Sequence, residues 1–327
     1  EIACHGRDMV RLEETFNRLI QRHDLLRGVV THDGMIKVLD EVPHYEFRLD
    51  EARHLSAIEQ YHRIDNLRNR IREEVLASDS WPLFRIKGVR LSESEYRLFV
   101  STDALMLDAS SRAVIFKEWR SLYEDDDSAL PEQKRTYKEY VHESTTSPDQ
   151  ISKKKSAQDY WDQNIIEMPG NPRLLARKTK PTKDTFDRLE ADLPKVVFDA
   201  IKERCLGFEQ KTSVTSCILA LFSRTLSRWS KSHEFHIVLT LFDQLAMEDR
   251  YQNLVGDFTN TMLIDCSNHP DERMDELGPR INQRIRESIK HSIYDGVEVI
   301  RYANKNRNVM KHEWHPDGVK TVFTCLL

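Results

Sequence analysis

The fold class this sequence predicts is α/β, layered around two sheets in two lobes. Three observations carry the prediction. The chain has 327 residues, more than a typical single domain holds. Segments of helical period alternate with segments of strand period in both halves, the pattern of helices packed on sheets. Ser144–Ser156, rich in Ser, Thr, Pro and Asp and then carrying three lysines, reads as a solvated linker and divides residues 1–150 from residues 151–327.

In the first lobe, Met9, Val10, Leu12, Phe16, Leu19 and Ile20 form one stripe, which predicts a helix over Asp8–Gln21. Arg27–Thr31 and Met35–Leu39 alternate around His32-Asp33-Gly34 and predict a hairpin. Leu55–Leu76 reads as a polar, Arg-rich helix. Pro82–Leu91 and Tyr96–Thr102 read as strands, and Arg112–Tyr123 as a helix ended by the acidic run Glu124–Ser128. In the second lobe, Phe186, Leu189, Ala191 and Leu193 alternate and suggest a strand over Asp184–Leu193. Helices follow at Lys195–Leu206 and Val214–Trp229, strands at Phe235–Phe242 and Asn260–Asp265, a long amphipathic helix at Glu272–Ser292 and a terminal strand at Val319–Leu327.

Composition excludes several functions. A net charge of −5 with both signs mixed implies no basic face, so nucleic acid is not an expected partner. Apolar runs such as Cys217–Phe222 are too short to span a bilayer, and the N-terminus has no signal-peptide layout. Cysteines 4, 205, 217, 266 and 325 are scattered and odd in number, which predicts reduced thiols in a cytoplasmic protein and no zinc site. Neither a G-x-G-x-x-G nor a G-x-x-x-x-G-K is present, so no nucleotide cofactor is expected.

The chemistry concentrates between Tyr96 and Ser111, YRLFVSTDALMLDASS. Asp103 and Asp108 stand at the mouth of a buried strand, where a carboxylate is costly unless partnered. Spacing alone leaves two readings open: one of them salt-bridges an Arg and fixes the loop, or the pair is functional. Ser111 reads as the N-cap of the following helix. Gly256 and Asp257 read as a tight turn with the Asp bonded to backbone. Arg22, His23 and Arg27 read as loop anchors, and Trp161 and Trp229 as core aromatics.

The run from Asp103 through Asp108 to Ser111, D-x-x-x-x-D-x-x-S, resembles the signature of the heterocyclization domains of nonribosomal peptide synthetases. These are relatives of condensation domains, whose matching loop reads H-H-x-x-x-D-G. Other segments resemble the family in its own order. LIQRHDLLRGVV (Leu19–Val30) matches its R-H-x-x-L-R stretch, and YWDQNIIEMPGNPRL (Tyr160–Leu174) its Trp-containing helix. TSVTSCILALFSRTLSRWS (Thr212–Ser230) matches its V-T-P helix, VGDFTNTMLID (Val255–Asp265) its G-D-F-T segment, and KTVFTCLL (Lys320–Leu327) its F-T-S-x-L strand. The sequence departs from the family at Leu174-Leu175-Ala176, where L-P-L is usual. It departs again at Val214-Thr215-Ser216 and at Leu241-Phe242-Asp243-Gln244, where L-F-N-R is usual.

The resemblance implies a chloramphenicol-acetyltransferase-like fold, two lobes in a V around a tunnel. It implies an enzyme that joins an acyl thioester to carrier-bound Cys, Ser or Thr and then closes and dehydrates the ring to a thiazoline or oxazoline. It implies no cofactor bound by the domain itself, substrates on the phosphopantetheine arms of upstream and downstream carrier domains, and an adjacent adenylation domain. Ala104 replaces the histidine that serves the condensation site, so other groups must act. Asp103, Asp108 and Thr324 are the implied catalytic candidates, with Asp108 either holding the loop or transferring a proton. Thr324 is implied to work with a later Asp that this chain ends before. The family usually extends beyond both Glu1 and Leu327, so the chain is expected to be truncated. Two alternatives stay open: a domain that only condenses, and a degenerate domain that only docks carriers.

Overall fold

The computed structural model describes residues 1–125, 129–174, 189–208, 211–242, 248–269, 271–312 and 321–325. They form two compact units, Glu1–Ser144 with Leu245–Phe258 and Thr145–Gln244 with Thr259–Leu327.

The first unit contains β1 (Ile2–His5), α1 (Met9–Arg22), β2 (Gly28–Val30), β3 (Ile36–Val38), β4 (Arg48–Glu51), α2 (Ala57–Glu73), β5 (Phe84–Arg90), β6 (Glu95–Thr102), α3 (Ala109–Glu124) and most of α4 (Tyr137–Thr146). The Asp8 carboxylate starts α1 by accepting from the N–H groups of Val10 and Arg11 at 2.9 and 3.3 Å, which otherwise lack helical partners. Ser56 and Glu59 cap α2 reciprocally. The sheet runs β1-β6-β5-β4, with β4 parallel to β5 and the other pairs antiparallel. Period-2 alternation sends Phe84 and Ile86 inward, where they meet Phe16, Leu19 and Ile20 of α1 and Ile115, Trp119 and Leu122 of α3. β2 and β3 pair as the predicted hairpin, and Gly34 takes a φ of +80° at its turn, a conformation that glycine enters without strain.

The second unit contains α5 (Pro148–Asn164), α6 (Lys195–Leu206), α7 (Val214–Trp229), β7 (His236–Phe242), β8 (Thr259–Asp265), α8 (Met274–Ile289), α9 (Gly296–Lys305) and β9 (Val322–Phe323). Its sheet runs β8-β7-β9, antiparallel then parallel. Both faces are covered. Met262 and Ile264 of β8 pack with Leu219 of α7 and with Leu277 and Ile281 of α8. Leu263, on the opposite face by alternation, packs with Trp161 of α5 and with Val299 and Ala303 of α9. Phe323 of β9 packs its ring 5.8 Å from that of Phe222 on α7.

Several expectations change. The solvated linker Ser144–Ser156 is helical on both sides of Ser147, closing α4 and opening α5 with Pro148 at its first turn. Lys153–Asp149 and Lys155–Asp159 pairs at i,i+4 support α5, and only Ala157 and Trp161 of it are buried. Of the strand proposed over Asp184–Leu193, residues 184–188 lie outside the described residues and Leu189–Leu193 form no strand, Leu189 being fully exposed. The departures at Leu175, Ala176, Asp243 and Gln244 also lie outside the described residues. Trp161 is core, but Trp229 is 72% exposed and is not. Among the described residues no helix is long and apolar enough to cross a membrane, and no His, Cys, Asp and Glu group could hold a metal ion.

Gly88 marks the tightest point of the first sheet: a Cβ there would lie 2.6 Å from Leu98, 2.8 Å from Leu49 and 3.1 Å from the Arg97 carbonyl oxygen. Gly88→Ala is therefore expected to destabilise by about 1–3 kcal/mol through overpacking. Chemical denaturation checks this, and an unchanged midpoint would show that the strands give way freely.

Candidate functional site

Where β6 ends, the chain turns through Asp103. Its N–H donates to the Leu83 carbonyl at 2.9 Å, and its carboxylate accepts from the Leu105 N–H at 3.0 Å, an Asx turn. Asp103 is half-buried, and Ala104 and Leu105 beside it are exposed. Met106 and Leu107 then go into the core. They draw Asp108 inside with them, to 5% exposure.

The Asp108 carboxylate is held by hydrogen bonds. Oδ1 accepts from the Ser111 N–H at 2.7 Å and the Ser110 hydroxyl at 2.9 Å, and Oδ2 accepts from the Phe258 N–H at 3.1 Å. Among the described residues, no Lys or Arg pairs with it; two backbone N–H groups and a hydroxyl stand where an ion pair was one reading of the spacing. Asp108, not Ser111, caps α3. Ser111 lies within the helix. Its hydroxyl donates to the Gly256 carbonyl at 2.7 Å and accepts from the Gly256 N–H at 3.0 Å, while the Asp108 N–H donates to that same carbonyl at 3.1 Å.

The Gly256–Phe258 segment is thus clasped to the start of α3. The carboxylate that bonds its backbone belongs to Asp108. Asp257 offers its carbonyl to the Tyr137 hydroxyl at 2.9 Å. Gly256 needs its missing side chain, because a Cβ would lie 2.2 Å from the Tyr137 ring. Phe258 packs edge-on against Tyr137 and Tyr140, with ring centroids at 5.5 and 5.0 Å.

Arg22, His23 and Arg27 each bond other parts of the first unit. Arg22 ends α1, and its Nε donates to Glu118 at 2.9 Å; its guanidinium also reaches the Pro131 carbonyl. His23 is buried with Nε2 2.8 Å from the same carboxylate and Nδ1 2.8 Å from the Gln133 amide. That pattern assigns the Nε2–H tautomer when the Gln133 amide nitrogen is the donor. Arg27 ends the 3-10 turn after α1 and donates to the carbonyls of Ile20, Gln21 and Leu39. Glu118, the hub, went unread in the sequence. Its signal is a charge on the buried stripe Ile115, Glu118, Trp119, Leu122. Burial pushes its carboxyl up, but bonds from His23 and Arg22 outweigh burial and hold it below the usual 4.5. A cavity of about 100 Å³ is lined by His23, Asp24, Gln133, Tyr137, Leu254 and Val255 among others.

Thr324, in the second unit, is exposed at the end of β9. Its Oγ1 accepts from the Thr240 hydroxyl of β7 at 2.9 Å. Thr240 lies opposite Thr261 of β8, whose hydroxyl donates to Asp295 Oδ1 at 3.0 Å. The sequence reading missed Thr240, Thr261 and Asp295, because lone residues on separate strands and a helix cap carry no shared motif.

The condensation-domain family model matches residues 5–314. Bacitracin synthase 1 of Bacillus licheniformis is 28% identical over 326 residues, 98% of this chain and 6% of that protein. Phenyloxazoline synthase MbtB of Mycobacterium sp. (strain MCS) is 24% identical over 329 residues, 98% of this chain and 26% of that protein. The solved EpoB NRPS cyclization-docking bidomain from Sorangium cellulosum is 28% identical, with a TM-score of 0.83 over 98% of this chain and 64% of that one. The chain therefore spans a minor part of these curated relatives.

Asp108→Ala removes a helix cap, worth about 0.5–2 kcal/mol, and orphans the buried Phe258 N–H, worth about 1–3 kcal/mol. A loss of about 2–4 kcal/mol is expected. Asp108→Asn, which keeps the cap, should fall between alanine and wild type. Thermal melting ranks the three, and an alanine variant that melts like wild type would remove the clasp from the account.

Glu118 supplies a pH dependence. Its folded value lies below the unfolded 4.5, so its contribution is complete above pH 4.5 and is lost as pH falls through the folded value. Urea midpoints of wild type should therefore converge on those of Glu118→Gln below pH 4.5. A constant gap down to pH 3 would contradict it.

Proposed function

The chain belongs to the condensation-domain family, and we propose that within it this chain is a heterocyclization domain. On this reading it joins an acyl thioester to a carrier-bound Cys, Ser or Thr and cyclodehydrates the product to a thiazoline or oxazoline. Both substrates arrive on phosphopantetheine arms of carrier domains, with an adenylation domain adjacent, and the domain binds no cofactor of its own. The observation that carries the reading is the loop Asp103–Ser111. It contains no histidine, and its buried carboxylate is bound by two N–H groups and a hydroxyl. The names of two relatives support it, one a phenyloxazoline synthase and one a cyclization-docking bidomain.

The chemistry divides between two needs. Amide formation moves an acyl group from sulfur to nitrogen, with the nitrogen losing a proton as the thiol leaves. Two tethered arms held in register supply most of that barrier reduction, roughly 7–11 kcal/mol. Ring closure adds the side-chain sulfur or oxygen to the amide carbon, whose oxygen gains a proton. Dehydration then breaks that C–O bond, releases water and forms C=N as the ring nitrogen loses its proton. This last step needs a positioned hydrogen-bond donor at a poor leaving group. Asp108 serves architecture in this scheme. Asp103, half-open at the turn, and Thr324, exposed at the strand end, remain to meet substrate.

Thr324→Ala in the protein that carries this chain should still form the linear amide, while ring closure falls by about tenfold or more. Mass spectrometry of carrier-bound products reads this, since the ring is lighter by one water. Ring as the wild-type product supports the proposal; linear amide alone would reduce the domain to condensation, and no product from either would leave only carrier docking. Equal loss of amide and ring in Thr324→Ala would withdraw the role of Thr324.

A further inference from the structure

We propose that Gly28 is a positioning residue for the reaction: the room it leaves for Met106 fixes where Asp103 stands. The inference rests on the reading above that Asp103 meets substrate. Gly28 opens β2 with φ −75° and ψ 146°, ordinary extended backbone that any residue adopts, so no turn demands a glycine there. A glycine in a paired strand weakens the pairing and marks a close approach. What approaches is the Met106 side chain. A Cβ at position 28 would lie 2.7 Å from its Sδ and 3.2 Å from the Leu25 carbonyl oxygen. Nonbonded heavy atoms settle at roughly 3.5–4.0 Å, so an alanine methyl would drive the sulfur back by about 1 Å. Met106 is buried in one core cluster with Leu25, Leu26 and Leu83, and a close-packed core passes such a push on.

Met106 cannot shift alone. Its N–H and that of Leu107 both donate to the Asp103 carbonyl at 3.2 Å. The Leu105 N–H, one residue before Met106, aims the Asp103 carboxylate at 3.0 Å. On its far side the loop is pinned by the Asp108 carboxylate, which holds the N–H groups of Ser111 and Phe258. A push on Met106 is therefore taken up by the turn Asp103–Leu105. The Gly28 side is tied down as well. The Leu26 carbonyl accepts from the Trp81 indole N–H at 2.9 Å, and the Val30 N–H donates to the Ser78 carbonyl at 2.7 Å. Both bonds run to the segment that leads into β5, and Leu83 of that same segment holds the Asp103 N–H at 2.9 Å. Gly28 and Asp103 thus share one frame, with Met106 wedged between them. Moving a reacting group by about 1 Å can cost about a hundredfold in rate.

The test uses the protein that carries this chain, with loaded carriers, and follows linear amide and ring by mass spectrometry below the melting range of each variant. Gly28→Ala should slow product formation about ten- to a hundredfold, with the KM for each loaded carrier unmoved. Gly28→Ala combined with Met106→Val removes the sulfur that the methyl strikes. This double variant should return to within about threefold of wild type and outpace both single variants. In an Asp103→Ala background, Gly28→Ala should cost no more than about twofold further, because nothing is left to position. A merely structural glycine would lower the rate equally in both backgrounds, and that result overturns the proposal. Should Gly28→Ala fail to fold, Met106→Val and the double variant decide, and a double variant no faster than Met106→Val overturns it too. If Asp103→Ala slows product formation and Gly28→Ala does not, Gly28 has no positioning role and the heterocyclization reading stands. If Asp103→Ala leaves both products unchanged, Asp103 does not meet substrate and this inference falls with it. A wild type that yields linear amide alone sinks the heterocyclization reading, and the same variants, read on the amide, still decide the role of Gly28.

Discussion

The carboxylate of Asp108 is the point on which the first unit turns. It sits in the core, where an unmet hydrogen-bonding group is costly, and two of its contacts are to backbone N–H groups that would otherwise be unmet. One oxygen satisfies the first turn of α3; the other satisfies the Phe258 N–H, 150 residues away in sequence. Ser111 repeats the arrangement with both backbone groups of Gly256. Removing the Asp108 carboxylate would leave buried donors on both segments at once, and removing the Ser111 hydroxyl would orphan the Gly256 N–H. The aromatic ring contacts of Tyr137, Tyr140, Tyr251 and Phe258 are set by that clasp, since Gly256 is flush against Tyr137 only while its backbone is held.

A second buried acid does comparable work by different means. Glu118 is paired with a cation and a histidine, and its proton equilibrium is governed by them. Among the described residues Asp108 has no cation partner, and hydrogen bonds hold it. The two carboxylates both leave α3, one at its start and one in its buried stripe, so a single helix is tied at both places. Asp103 is the more open acid of the loop, one of its oxygens closing the turn with the Leu105 N–H.

Elements that bury a regular apolar face were legible. α1, α7, β5, β6, β7 and β8 lie within a few residues of where periodicity put them, because burial and pattern are the same fact there. α5 was not legible: its surface is nearly all polar, and the Ser, Thr, Pro and Lys that read as a linker are instead an N-terminal proline and i,i+4 ion pairs. β4 was missed because Arg48–Glu51 is a polar edge strand that buries no side chain fully. At the site, Asp103, Asp108 and Ser111 were found as residues, but the division of labour between Asp108 and Ser111 was not. A capping rule accepts either residue, and no local pattern announces that the other oxygen of Asp108 meets Phe258.

The small strand β9 has a further consequence. Successive residues of a strand face opposite ways, so Phe323 and Thr324 are a matched pair: one packs half-buried against the core and beside Phe222 while the other points out beside Thr240. A slip of one residue would exchange them, exposing an aromatic ring and burying a hydroxyl. Both changes are unfavourable, and they reinforce each other. The ring therefore acts as a detent, fixing the hydroxyl to one step of the sheet ladder. A hydroxyl at the end of a short strand gains its precision from the hydrophobic side chain before it.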